Sequence, residues 1–237
     1  LSALSGYLFA GGQDLQIILY LLLGGAFVTA ASNGANQIWE KDLDKLMNRT
    51  SNRPIPTGEM SVKSAYIIVF CLLIMGLIML YLVNLKSALL GFAAFISYVF
   101  LYTPLKTRTP WAVFVWAFPG AIPPFLGAIA ATNEFGFLPG ILFFVQFTWQ
   151  FPHFWAIAWV THDDYQKAGF NLLPSANGKS KQSAFQIMLY SLALIPFSLT
   201  PWLFDWTGDV TFVVASLLGI LFFYYAYKLF LNLQDSD

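Results

Sequence analysis

Long uncharged runs alternate with short charged segments along this chain. The runs cover residues 15–39, 64–85, 87–105, 109–133, 135–161, 182–204 and 210–227. Crossing a bilayer takes about 20 apolar residues in a helix, and nearly every run meets that length. Backbone groups in lipid have no water to bond, and the period-two alternation of barrel strands is absent, so each run predicts a helix. The opening stretch 1–12 is apolar but only half a span long. It has neither the charged start nor the small-residue cleavage site of a secretory signal. It reads as the remainder of a first helix. The expected architecture is an all-α, integral-membrane, multi-pass helical bundle of eight spans. All of it forms one domain over residues 1–237, with the first span incomplete.

Lys and Arg fix the expected orientation. Eight spans place Lys41, Lys45, Arg49, Arg53, Lys63, Lys106, Arg108, Lys167, Lys179, Lys181 and Lys228 on one side, and only Lys86 on the other. So lopsided a distribution puts the first side in the cytoplasm or its equivalent. The opposite loops are short and hold Asp14, Asn84, Glu134, Asp205 and Asp209.

Composition agrees. Hydrophobic residues make up 58% of the chain and charged residues 10%, against about a quarter charged in a soluble domain. The 18% aromatic content argues against disorder, and a formal net charge of zero gives no reason to expect nucleic acid. The single cysteine, Cys71, lies in an apolar run and has no internal partner. No soluble domain or low-complexity linker is present, so any chemistry belongs to the membrane or its cytoplasmic face.

That face mixes its basic residues with acids, which topology alone does not require. The densest stretch holds Asn36, Glu40 and Asp44, then Arg49, Arg53 and Pro54. Residues four apart share one face of a helix. Three oxygen donors in such a row suit Mg²⁺, which prefers one or two carboxylates, waters and substrate phosphates. Arg49 and Arg53 offer planar forks to phosphate oxygens. An ordinary solvated helix end with i,i+4 ion pairs is the alternative. Asn36 and Glu40 follow an unbroken apolar run, however, and acids at that depth are functional candidates by default.

Two further clusters are weaker alone. Tyr102, Thr103, Lys106 and Arg108, in a stretch that turns at Pro104 and Pro110, could be a topogenic anchor. Trp149, Gln150, Pro152 and His153 lie in an apolar run, and Pro152 is expected to loosen the helix there. His162, Asp163, Asp164, Tyr165, Lys167, Gly169 and Pro174 follow it. A lone intramembrane His is often a packing residue, and Asp163 and Asp164 could be a helix cap or a salt-bridged loop.

Taken together and in order, the clusters resemble the UbiA superfamily of intramembrane prenyltransferases, and within it the protohaem farnesyltransferases. The Asn-x3-acid-x3-Asp motif with its Met-x-Arg-Thr-x2-Arg-Pro tail is Asn36, Glu40, Asp44, Met47, Arg49, Thr50, Arg53 and Pro54. The Tyr-Thr-x-x-Lys element is Tyr102, Thr103 and Lys106. Pro-Gly-Ala-x-Pro-Pro spans 119–124, Pro-His-Phe spans 152–154, and Asp-Asp-Tyr-x2-Ala-Gly-x-x-x-Leu-Pro spans 163–174.

The resemblance implies transfer of a farnesyl group from farnesyl diphosphate to a vinyl group of protohaem IX, with water completing the new side chain. It implies Mg²⁺ on Asn36, Glu40 and Asp44, with Asp163 and Asp164 as further candidate ligands. Arg49, Arg53, Lys106 and Arg108 would neutralise the diphosphate, Lys106 also serving catalysis. His153 and His162 are the candidates for contacting haem, which is a substrate here. A downstream haem-modifying enzyme is an expected partner, and the bilayer is the expected medium. The compact loops favour a bacterial inner membrane, and a mitochondrial inner membrane would carry the same pattern.

Two departures stand out. At the positions of the superfamily's second Asp-x3-Asp box this chain has Thr161 and Tyr165. The family also usually has nine spans, so a ninth is expected beyond this sequence. The missing box argues against a relative that prenylates an aromatic quinone precursor. A transporter or scaffold would suit helices broken at Pro119–Pro124 and Pro152, but the charges gather at one face and not at the midplane.

Overall fold

The computed structural model describes residues 1–175 and 177–233. Among them are helices and loops but no strand. The principal helices are α1 (Ser2–Phe9), α2 (Leu15–Trp39), α3 (Val62–Val83), α4 (Leu85–Leu105), α5 (Ala112–Thr132), α6 (Phe137–Val160), α7 (Lys181–Leu203) and α8 (Asp209–Asn232). Six of these, α2 to α5 with α7 and α8, are long and apolar enough to cross a membrane. Helix α1 is short, and α6 has 24 residues but includes Gln146, Gln150 and His153. The protein is a multi-pass membrane protein.

The helix starts are set by side chains that bond the first free amides. The Asp14 carboxylate accepts from the N–H groups of Gln16 and Ile17, and the Ser61, Asn84 and Ser180 side chains accept from Ser64, Ser87 and Ser183. Capping satisfies donors that have no partner inside the helix. Asn84 alone separates α3 from α4, and its amide also donates to the Ile129 carbonyl at 3.2 Å. Such short connections make consecutive helices neighbours: α2 packs on α3, α3 on α4, α4 on α5, α5 on α6, α6 on α7 and α7 on α8. Helix α1 lies along α5 and reaches α2.

The prolines do not break the helices as the sequence suggests. Helix α5 runs through Pro119, Pro123 and Pro124, and α6 through Pro152. A helical proline lacks the N–H that would bond the carbonyl four residues earlier. For Pro124 that carbonyl belongs to Gly120, and the Gln150 side-chain amide of α6 donates to it at 2.9 Å. A neighbouring helix thus supplies the missing bond, as apolar surroundings demand. In α4 the regular pattern widens instead to π-type turns over Ser97–Tyr102, and such turns often occur at functional sites.

Helix α1 is held by close backbone approach. A Cβ on Gly127 of α5 would overlap the Ala3 carbonyl, and one on Gly6 would overlap the Pro124 carbonyl. Small residues at such crossings let helices associate through packing where no hydrophobic drive exists between them. Gly127→Val should therefore undock α1 and lower stability by about 1–3 kcal/mol, as overpacking does. A lowered melting temperature in detergent checks this. Gly140→Ala, whose added Cβ would meet nothing within 4 Å, should leave the temperature unchanged.

Candidate active site

The three oxygen donors foreseen on one helix face do share a face, though the helix is interrupted. Helix α2 ends at Trp39, and Glu40 adopts a non-helical capping conformation before a short turn over Lys41–Asp44. The register survives, because the Glu40 N–H bonds the Asn36 carbonyl at 2.9 Å and the Asp44 N–H bonds the Glu40 carbonyl at 2.8 Å. All three side chains are buried, Asp44 fully so.

Each carboxylate has a basic partner. Lys106 Nζ, just beyond α4, lies 2.9 Å from Glu40 Oε1 and 3.0 Å from Oε2, and its hydrogen bond goes to Oε2. Arg53 donates to Asp44 Oδ2 at 2.8 Å. Glu40 Oε1 and Asp44 Oδ1 remain buried without a hydrogen bond. Asn36 donates its amide N–H to Thr103 Oγ1 at 3.2 Å, which leaves its carbonyl oxygen as the free atom. Among the described residues no three His, Cys, Asp or Glu side chains gather as a closed metal cage. Two carboxylates and an amide, each with an oxygen that accepts no hydrogen bond, instead match Mg²⁺ that keeps waters and binds with substrate phosphate.

The loop after Asp44 is tied back onto the site. Thr50 is buried and donates to the Asp44 carbonyl at 3.0 Å, while Met47 enters the core. Arg49 is exposed at the mouth with its guanidinium 5.6 Å from the centre of the Tyr165 ring.

These groups stand at one end of a cavity of about 1050 Å³. Its walls run along α2 from Asn36 to Leu21 and include Leu1 and Ala3 of the opening segment, Leu80, Gly91 and Leu126. Fifteen helical steps from Leu21 to Asn36 make the wall about 22 Å long at 1.5 Å per step. Aromatic rings line the part between the charged end and α6: Tyr98 and Tyr102 are 5.4 Å apart, Tyr102 and Trp116 6.3 Å, and Trp116 and Phe154 3.5 Å. Lys106 sits 4.7 Å from the Tyr102 ring centre and 5.5 Å from that of Phe170. Gln150 faces the same space, and its Oε1 is buried without a hydrogen bond.

The structure thus brings Asn36, Glu40, Asp44, Arg49, Arg53 and Lys106 together. Arg108 is exposed and is not in the cavity wall. His153 lies on the neighbouring face of α6, stacked on Trp149 with centres 4.2 Å apart. His162 abuts Gly178, where an added Cβ would lie 2.7 Å from its ring. Asp163 is 89% exposed and 3.7 Å from Lys179. Asp164 accepts from the backbone N–H groups of Asn48 and Arg49 at 2.8 and 3.2 Å, and from Lys167 at 3.0 Å. The Asn48 bond above all holds its carboxyl below the usual range.

The residues that sequence reasoning did not single out are Tyr98, Trp116 and Phe170. Nothing in a chain so rich in aromatics separates these rings from packing residues. Gln150 carried a signal, as an uncharged amide deep in an apolar run.

The UbiA prenyltransferase family matches residues 1–237. A Flavobacterium psychrophilum protein named protoheme IX farnesyltransferase is 48% identical over 245 residues, covering 100% of this chain and 81% of that protein. One of the same name from Cytophaga hutchinsonii is 47% identical over 222 residues, covering 92% and 78%. Among solved structures, a UbiA homolog from Aeropyrum pernix K1 superposes with a TM-score of 0.78 at 19% identity, covering 98% of this chain and 91% of that one. A UbiA homolog from Archaeoglobus fulgidus bound to DMAPP and Mg²⁺ gives 0.71 at 20% identity, covering 100% and 82%. The chain belongs to the UbiA prenyltransferase family.

Proposed function

We infer that this protein transfers a farnesyl group from farnesyl diphosphate to a vinyl group of protohaem IX, giving haem O and diphosphate. The observation that carries this is a single cavity joining free buried oxygens and three cations at one end to a long apolar body. Such a space suits a molecule with a diphosphate head and a hydrocarbon tail. The protoheme IX farnesyltransferases of 47–48% identity support the acceptor.

Asn36, Glu40 and Asp44 would hold Mg²⁺. When bound, it neutralises charge that grows on the diphosphate as the carbon–oxygen bond breaks. Arg49, Arg53 and Lys106 face the same phosphates as charge-assisted donors. They are fixed before substrate arrives, so little reorganisation opposes the reaction. The allylic cation left on the farnesyl carbon would meet the faces of Tyr98, Tyr102 and Trp116, whose quadrupoles attract positive charge. The vinyl π electrons then form the new carbon–carbon bond, and water adds to the resulting cation and loses a proton to solvent or diphosphate, leaving a hydroxyl. The product stays hydrophobic, which fits a downstream haem-modifying enzyme in the same bilayer. The basic loops are assigned to the cytoplasmic side of a bacterial inner membrane.

Membranes containing the protein should convert added protohaem to a more hydrophobic haem when given farnesyl diphosphate, as read by pigment extraction and mass. Absence of that product would sink the assignment. A chelator should abolish the conversion and Mg²⁺ should restore it; full turnover in chelator refutes the metal role. Asp44→Ala should lower turnover by about 10²–10³, in the range of lost transition-state donors. It should weaken farnesyl diphosphate binding while leaving protohaem binding nearly intact, measured separately in detergent. Cysteines at Thr57, Thr107 and Asn177 should label from the cytoplasmic side and those at Asn133 and Gly208 from the other. A mixed pattern would overturn the sidedness.

A further inference from the structure

We propose that Asp164 is a positioning residue that straps the Asn48–Arg49 backbone and so aims Arg49 at the diphosphate, and that it is not a metal ligand. The inference rests on the reading of Arg49 as a diphosphate contact.

The two partners are 116 and 115 residues away in sequence. Asn48 and Arg49 follow the Lys41–Asp44 turn in a loop without regular structure, so their amides have no helical partner. One carboxylate accepts both, Oδ1 from Asn48 and Oδ2 from Arg49. An ionised acceptor makes such bonds stronger than neutral ones. Lys167, one turn on in the His162–Lys167 helix, also donates to Oδ1 and holds the carboxylate in place.

The next residue completes the grip. Tyr165 lies under the Arg49 guanidinium, so adjacent residues of one loop hold the backbone and the side chain of a single arginine in another. A few residues later the Asn171 N–H bonds the Lys106 carbonyl at 3.2 Å, and Phe170 faces Lys106 Nζ. One segment therefore braces two of the three cations of the site. Arg49, Tyr165, Phe170 and Lys106 all line the cavity, and Asp164 does not. Both its oxygens accept hydrogen bonds, whereas Glu40 and Asp44 each keep one buried oxygen that accepts none. A ligand of the same metal should resemble Glu40 and Asp44 in this respect.

The test uses full-length protein in detergent, comparing Asp164→Ala, Asp164→Asn and Arg49→Ala. Asp164→Ala should speed amide exchange at Asn48 and Arg49 and raise KM for farnesyl diphosphate about ten-fold, the scale of a lost charge-assisted bond. The Mg²⁺ concentration giving half-maximal rate should not move. Asp164→Asn, which keeps one acceptor oxygen, should recover part of the KM. The double variant Asp164→Ala with Arg49→Ala should be no worse than Arg49→Ala alone. A raised Mg²⁺ requirement in Asp164→Ala would make Asp164 a metal ligand and overturn the inference. Unchanged exchange would remove the strap, and a melting temperature that falls with kinetics intact would leave only packing. If Arg49→Ala itself leaves KM unchanged while exchange in Asp164→Ala is faster, the strap stands and the diphosphate role of Arg49 is what fails.

Discussion

Buried carboxylates at one end of an apolar bundle govern the arrangement of everything near them. An ionised Asp or Glu removed from water is costly unless paired and hydrogen-bonded. Glu40 and Asp44 are nearly without exposure, so Lys106 and Arg53 must come to them. Those cations lie on different segments, and meeting this demand draws the α4–α5 connection and the Arg53 loop over the end of α2. The pairs compensate charge without saturating every oxygen: one on each acid accepts no hydrogen bond. Buried oxygens without hydrogen bonds beside basic side chains are what remains when ion pairing compensates the charge without saturating the carboxylates.

The same requirement acts on neutral groups deeper in the bundle. Proline in α5 leaves the Gly120 carbonyl without its helical donor. Gln150 supplies the bond through its N–H2, and its own carbonyl then faces the cavity. The aromatic rings continue that wall. Trp116 of α5 and Phe154 of α6 meet where these two helices pack, so helix packing and the lining of the cavity are one construction.

Much of this was legible beforehand, for identifiable reasons. Seven apolar runs located α2 to α8 within a few residues, since hydropathy and internal hydrogen bonding leave a lipid-facing segment little choice. The spacing of Asn36, Glu40 and Asp44 marked the donor row, although the actual chain stops its helix at Trp39 and restarts it. The i,i+4 bonds are preserved across that break, so the spacing argument survives a change in backbone it did not foresee. The helices run on through Pro119–Pro124 and Pro152, and at Pro124 the reason is one that local propensity does not hold: Gln150 on the facing helix bonds the freed carbonyl. Arg108 and Arg53 look alike in sequence, both basic residues near a proline. Only the fold separates one in solvent from one bonded to Asp44.

The third cluster shows most clearly how tertiary contacts decide the part a residue plays. Asp163 and Asp164 are adjacent acids, equivalent to any reading of composition or motif. Successive residues of a helical turn point about 100° apart, so one must face away from whatever the other meets. Asp163 takes the solvent side near Lys179, and Asp164 turns toward the Asn48–Arg49 amides. Tyr165, another step round, faces the cavity beneath Arg49. One short helix therefore presents a solvated charge, a backbone acceptor and a ring in sequence. Its place against the arginine loop assigns each role, and the site's charges are oriented by a segment far from them in the chain.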